Sequence, residues 1–428
     1  MAVIGLRCAA CGTGVPIATA LPWRCPRERG DRHHVLLIED DGGVFESDEM
    51  AGNPFIRYRT QMAWWSFGRS RGLADDELVG LASDLDELIA AVDGIGFTST
   101  PLERADDLSS ALDFVSHGGV WIKDETGDVA GSQKARHLFS ILLHLFVAER
   151  LRLVPWSAQD ERPNLAIASC GNAAIAASTL ARAVEWPIEV FIPEWADGAV
   201  VDTLAELGAQ ITRCRRLDSD SPGDPTLIRF RSAVDQGAIP FSVQGPENAL
   251  CLDGGRSIGW EMAEQFRASG ITSLDALFVQ VGGGAFAASV SRGLSEAGCF
   301  APLHAVQTAG CAPLARAWSS AQFDEQAASQ WVRHMWPWES VPRSLADGIL
   351  DDETYDWVAD VDQLRRTSGT VVVVDEDEVQ AAAEIGPALT GIDASPTGTA
   401  GLAGLLHERS QFDDAARIAV IFSGIRRD

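Results

Sequence analysis

The chain has 428 residues, 46% of them apolar and 22% charged, and its 34 basic against 61 acidic side chains leave a formal charge of −27. That charge repels a phosphate backbone and an anionic bilayer, so nucleic acid and membrane are disfavoured as partners. No apolar run reaches the roughly 18–20 residues a span needs, and the length exceeds what one compact core organises, so two domains and a small appendage are expected.

Residues 1–50 are short apolar pieces broken by Gly, Pro and charge, which predicts a small β-rich appendage. Its opening lacks a basic segment leading into a long apolar core, so a cytoplasmic protein is expected. Cys8-Ala-Ala-Cys11 and the later Cys25 read as a zinc ribbon that has lost a ligand, because Glu28 stands where a second Cys-x-x-Cys would close. No metal is assigned on this reading; Cys8, Cys11 and Cys25 are weak candidates, and only His33, His34 or another residue would complete a tetrahedron. Leu73 to Val92 repeats apolar residues at helical spacing. Val120-Trp121-Ile122 is strand-like, and Ser132 opens an apolar helical stretch toward Ala148.

Then comes an alternation. Leu165 to Ala168 reads as a buried strand, followed by Ser169-Cys170-Gly171-Asn172, an alanine-rich helix, a strand over 187–192 and a helix over 201–207. A second set has a strand over 276–281, Gly282-Gly283-Gly284, a helix to Leu294 and a strand at 304–307. A strand at 371–374 and a helix over 380–389 complete the series. Strand and helix in this rhythm predict parallel βαβ units, so the fold class is α/β.

Only two lysines occur, Lys123 and Lys134, and both lie in the stretch 121–136. Arginine serves for solubility, ion pairing and anion binding, but an imine to an aldehyde requires an amine that can lose its proton. Lys134, in the first turn of a helix, is the candidate nucleophile, for a helix start is a poor place for an idle cation.

Three further loops complement it. Ser169 to Asn172 exposes backbone amides at a helix start, suited to a carboxylate, with Asn172 able to donate to a phenolate-like oxygen or merely to cap the helix. Gly282-Gly283-Gly284-Ala285 stands between strand and helix and suits a phosphate, but has neither the Walker pattern nor the dinucleotide fingerprint. Ser395-Pro-Thr397-Gly offers hydroxyls to a neutral ring nitrogen, or ordinary caps through Thr397 or Thr399. An imine lysine, a phosphate cradle and partners for a phenolic oxygen and a ring nitrogen together fit pyridoxal 5'-phosphate.

On these residues the chain resembles the fold-type-II, tryptophan-synthase-β-like family of pyridoxal-phosphate enzymes, and within it threonine synthases, from about Gly52 to Leu406. Arg57-Tyr58-Arg59, Thr100-Pro101-Leu102, Lys123-Asp-Glu-Thr and Gly131-Ser-Gln-Lys134 also carry the resemblance. It implies two doubly wound parallel-sheet domains with the cofactor in the cleft: 51–160 with 250–428 as the large cofactor-binding domain, 161–249 as the small substrate-side one, and 1–50 as the ribbon-like appendage. It implies that Lys134 holds the cofactor as an imine and acts as base at the substrate Cα. Asn172 would meet the phenolic oxygen, Gly282, Gly283, Gly284 and Ala285 the phosphate, and Thr397 the ring nitrogen. Ser132, Ser169, Cys170 and Gly171 would line the site of the substrate carboxylate. The implied protein is a homodimeric lyase eliminating or replacing a group on Cβ or Cγ of an amino acid.

The chain departs from the family pattern in places. Gln133 and Ala135 flank the lysine where an aromatic or apolar residue and an Asp are usual, Asp128-Val129-Ala130 replaces Asn-Pro-Thr and its hydroxyl, and Ser395 replaces a common Glu. These changes count against threonine formation from phosphohomoserine; a threonine-synthase-like lyase is the leading reading, with a serine/threonine dehydratase, a diaminopropionate ammonia-lyase or a β-replacement enzyme as its alternatives. Arg136 and His137 offer a candidate anion site. The rival classes are a catalytically silent, cofactor-binding regulatory protein and a nucleotide-binding α/β protein resting on the glycines alone.

Overall fold

In the computed structural model, which describes residues 1–115, 117–221 and 223–427, the chain forms two compact units. The first comprises 1–98, 128–130 and 134–254, and the second 99–127, 131–133 and 255–428.

In the first unit the N-terminal segment forms a three-stranded antiparallel sheet in the order Gly14–Pro16, Val3–Cys8, Leu36–Asp40. A four-stranded sheet, parallel throughout, has the order Gln210–Cys214, Ile188–Pro193, Leu165–Ala168, Ile239–Pro240. The chain steps outward from Leu165–Ala168 through two strands and then returns to that strand's other side. Strand order therefore reverses between Leu165–Ala168 and Ile239–Pro240, and the loop beginning at Ser169 leaves the carboxyl end of a strand at this switch point, where open α/β sheets bind ligands.

The expected helix at 73–92 is Asp75–Asp93, with acidic residues at its positive end, Leu78, Ala82, Leu85 and Ile89 on its buried face, and Gly94 at φ 89° closing it. Helix Lys134–Arg150 differs in kind, being buried on nearly all sides. Its buried polar side chains each find a partner within the unit: Arg136 pairs with Asp128 at 2.8 Å, His137 Nδ1 donates to Cys251 O at 2.7 Å, Ser140 donates to Leu250 O at 2.9 Å, and His144 Nε2 to Ala20 O at 2.9 Å. Helix Cys251–Ala268 passes so close that a Cβ on Gly254 would stand 1.9 Å from Arg136 O.

The second unit holds a six-stranded sheet in the order Thr370–Val374, Leu303–Thr308, Ala276–Gln280, Arg417–Phe422, Gly119–Asp124, Leu102–Arg104. Only the last strand is antiparallel to its neighbour. Here too the order reverses, between Ala276–Gln280 and Arg417–Phe422, so the glycines at 282–284 come after a strand at the second sheet's switch point. The core beneath joins Val120, Ile122, Phe278, Val306 and Val420 of the strands to Ala400, Leu402 and Ala403 of helix Pro396–Glu408. The strand Arg417–Phe422 is central, although no element is expected from sequence after Leu406. It is a continuous apolar run, as a strand covered on both faces must be.

Candidate functional site

The two lysines meet different environments. Lys123 lies on the strand Gly119–Asp124 with no exposure, its Nζ donating to Glu261 at 2.7 Å, Thr100 O at 2.8 Å and Gln265 Oε1 at 3.1 Å. Three N–H groups have three acceptors, which a compact ammonium serves and a planar guanidinium does not. Thr100 also donates to Glu125, so Thr100-Pro-Leu and Lys123-Asp-Glu form one buried network. Lys134, half-buried, is the first residue of helix Lys134–Arg150.

A tight turn delivers Lys134. Ala130 at φ 56° and Gly131 at φ 66° take left-handed conformations in succession. Residues 131–133 then run against 423–425: Ile425 N–H donates to Gly131 O at 2.9 Å, Ser132 bridges Gly424, and Gln133 N–H donates to Ser423 O at 3.1 Å. A Cβ on Gly131 would stand 2.7 Å from the Ile425 side chain, which fixes glycine there. Ser132 Oγ and Gln133 Oε1 are buried without a hydrogen-bond partner among the described residues. Orphaned buried polar atoms beside the candidate nucleophile suit a polar occupant.

In the first unit, Ser169-Cys170-Gly171 leaves the strand Leu165–Ala168 and enters helix Asn172–Ala183. Ser169 Oγ accepts from Gly171 N–H at 3.4 Å. Gly171 occupies the cap position and Asn172 is the first helical residue, so Asn172 does not act as the cap that its type first suggests.

In the second unit, Gly282-Gly283-Gly284 lead into the twelve-residue helix Ala285–Glu296, whose start no side chain caps. The amides and dipole of such a terminus are what a phosphate needs. A Cβ on Gly282 would come within 2.5 Å of Asp351 Oδ2, and one on Gly284, at φ 99°, within 2.2 Å of Asp360 Oδ2. The turn is thus too tight for a side chain at Gly282 and Gly284, whereas at Gly283 a Cβ would meet Tyr355 only at 3.4 Å. Sequence alone does not disclose this acidic lining, because Asp351 lies in an irregular segment and Asp360 in the first turn of a helix, Trp357–Thr367, far along the chain from the glycines. Burial, reinforced by Asp356, pushes the Asp360 carboxyl well above the usual range toward its neutral form, which relieves its repulsion of a phosphate.

Thr397 lies in the first turn of helix Pro396–Glu408, its Oγ1 accepting from Gly348 N–H at 3.0 Å and facing Asp347 Oδ1 at 3.3 Å. The cap is Ser395, whose Oγ accepts from Gly398 N–H at 3.0 Å, not Thr397 or Thr399. That assigns a purpose to the serine that replaces the family's Glu. Arg136 and His137 lose their reading as an anion site: the arginine is ion-paired to Asp128, and burial pushes the His137 imidazole down to about 3, keeping it neutral.

The first unit, then, carries an amine at a helix start and an amide-rich loop at its switch point, and the second carries an amide-rich loop at its own switch point and a threonine hydroxyl at a helix start. The donor set fits the cofactor.

Known proteins point the same way. A sequence model of the family described as pyridoxal-phosphate dependent enzyme matches residues 95–424. The biosynthetic L-threonine dehydratase of Haemophilus influenzae is 24% identical over 339 residues, covering 76% of this chain and 56% of the relative, so the chain spans little more than half the length of the curated relative it matches. Among solved structures, the processed form of threonine deaminase isoform 2 from Solanum lycopersicum superposes with a TM-score of 0.61 at 19% identity, covering 84% of this chain and 92% of that one. Maize serine racemase superposes with a TM-score of 0.59 at 17% identity, covering 82% and 94%. No helix among the described residues is long and apolar enough to cross a membrane.

Proposed function

The chain belongs to the family of pyridoxal-phosphate-dependent enzymes, and we propose that it is a lyase that eliminates or replaces a leaving group on Cβ or Cγ of an amino acid. The observation that carries this is the division of labour between its two lysines: Lys123 is consumed by a buried network, and Lys134 heads a rigid buried helix beside orphaned polar atoms.

Bound pyridoxal phosphate supplies an electron sink for charge developing at Cα. Lys134 would hold it, and its amine would move the proton at the substrate Cα. Gly282, Gly283, Gly284 and Ala285 hold the phosphate, Asn172 the phenolic oxygen and Thr397 the ring nitrogen. Ser132, Ser169, Cys170 and Gly171 bind the substrate carboxylate. Within this chemistry, ammonia-releasing elimination from serine or threonine is the better supported reading than threonine formation. The similar curated protein is named a threonine dehydratase, and the hydroxyl of the family's Asn-Pro-Thr is missing at Asp128-Val129-Ala130. A cytoplasmic homodimer is part of the proposal: eight free cysteines suit a reducing compartment, and the dimer rests on the family resemblance.

The test is a visible spectrum of the wild type and Lys134→Ala before and after borohydride, then incubation with serine and threonine. A cofactor band that borohydride fixes to the wild type alone, with a 2-oxo acid and ammonia as products, is expected. A retained amino group in the product indicates replacement instead. A wild type that neither carries nor takes up the cofactor would overturn the enzymatic reading in favour of a silent regulator.

A further inference from the structure

The three clustered cysteines are not a relic with a missing fourth ligand. Cys8, Cys11, Cys25 and His34 converge, and one donor atom from each lies within 4.8 Å of all the others. Cys11 Sγ is 3.6 Å from Cys25 Sγ, and Cys8 Sγ is 3.4 Å from His34 Nδ1. A tetrahedral zinc with bonds of about 2.3 Å to sulfur and about 2.0 Å to nitrogen has edges of about 3.8 Å between sulfurs and about 3.5 Å between sulfur and nitrogen. These two pairs already stand within about 0.2 Å of those separations.

The surrounding backbone is built for thiolates. Cys8 N–H donates to Thr13 O and Gly12 N–H to Cys8 O, both at 2.9 Å, and Gly12 takes φ 69° immediately after Cys11. Arg27 N–H points at Cys25 Sγ at 3.4 Å, and the Thr13 hydroxyl lies 3.1 Å from Cys11 Sγ. Both contacts can stabilise sulfur that has lost its proton. Glu28, where a fourth cysteine was expected, is turned to another purpose: it accepts from Arg32 N–H at 3.2 Å and pairs with the Arg32 guanidinium at 3.1 Å. That turn carries the chain round to His34.

We propose that Cys8, Cys11, Cys25 and His34 bind one zinc ion, with release of the thiol protons. Four protein ligands leave no open position, so the ion is structural. It closes the loops between the N-terminal strands, and these hold the rest of the first unit: Ala20 O accepts from His144 on the Lys134 helix, Trp23 O accepts from Ala249 N–H at 3.0 Å, and Arg32 pairs with Asp235 at 2.9 Å. Zinc loss therefore loosens the support of the Lys134 helix.

The test uses the full chain loaded with pyridoxal phosphate. Elemental analysis should find one zinc per chain, retained through gel filtration, absent from Cys25→Ser and His34→Ala, retained in His34→Cys, and unchanged in the control Cys299→Ala. Cobalt exchanged into the wild type should show a thiolate-to-metal charge-transfer band and the strong visible bands of tetrahedral geometry. These readouts are independent of turnover and of the reading given to Lys134. Wild-type protein with no stoichiometric zinc, with iron in its place, or with Cys11 and Cys25 joined in a disulfide overturns the proposal, whether or not the variants fold.

Discussion

Replacing Lys123 with methionine keeps the volume of a buried side chain and removes its charge, leaving two carboxylates without their cation. Lys123 Nζ stands 2.7 Å from Glu261 and 4.0 Å from Glu125, and all three side chains are at most 1% exposed. Taking the cation from between two buried carboxylates costs about 3–5 kcal/mol, several times what a surface pair is worth. In a unit of this size each kcal/mol moves the midpoint by roughly 2–4 °C, so the second unit of Lys123→Met should melt about 10 °C lower than wild type. The deficit should narrow as pH falls, since a carboxylate that takes a proton no longer requires the ammonium. Lys123→Met with Glu261→Gln should recover part of the loss, as a neutral partner needs no counter-charge. Differential scanning calorimetry at pH 7.5 and 5.5 reads all three. A shift under about 3 °C, or a deficit that does not change with pH, would refute the argument that Lys123 is a structural ammonium. The same variant, when refolded, should still hold a cofactor that borohydride fixes to it, as Lys134→Ala should not.

Gly254→Ala should displace the start of the Lys134 helix, because its Cβ would stand 1.9 Å from Arg136 O; a loss of at least about 1–3 kcal/mol and a lower cofactor occupancy are expected, measured by melting and by absorbance. His137 and His144 are pushed down by burial to about 3 and about 4. Below pH 6.5 the unfolded chain binds protons that the folded one refuses, so stability is lost as pH falls and each histidine costs about 1.4 kcal/mol by pH 5.5. His144→Phe should flatten that slope, a result visible in urea titrations across pH. Asp360 has the opposite sign: its carboxyl is raised, so the folded state keeps a proton the unfolded state releases above its ordinary 3.8, and stability falls as pH rises. Asp360→Asn should therefore gain stability at pH 8 relative to wild type and show little difference near pH 4, and an equal effect at both would count against a buried neutral acid.

Much of the fold was legible because its strands and helices carry local signals. The run Leu165–Ala168, the strand Ala276–Gln280 and the helices after them appear where apolar patterning and small-residue turns place them, within a residue or two at their starts. What could not be read was what distant segments bring to each other. The strand Arg417–Phe422 lies between Ala276–Gln280 and Gly119–Asp124, a neighbourhood no local pattern encodes. Asp356 stands at the cap position and Asp360 in the first turn of helix Trp357–Thr367, and only folding shows them against Gly284. Sequence places the cap of helix Pro396–Glu408 on the wrong hydroxyl because Ser, Thr and Thr at 395, 397 and 399 are equivalent there and differ only in which precedes the first helical turn.

The two lysines show how far composition alone carries an argument. Their scarcity pointed to work that arginine cannot perform, which the geometry explains at Lys123 and which we propose at Lys134 for a different physical reason. At Lys123 the reason is geometry: three acceptors converge on one point, and an ammonium presents three donors from a single atom. At Lys134 the reason is chemistry, since only an amine can lose its proton and bond to a carbonyl carbon. Sequence cannot separate these, because both residues lie in one stretch and scarcity marks them equally. Burial separates them. A lysine with no exposure, fixed to a carboxylate 2.7 Å away, is held away from solvent and committed to its acceptors. The half-buried lysine at the helix start is the one we propose as the reactive amine, and the chain keeps its second lysine to hold the strand Gly119–Asp124 in its buried network.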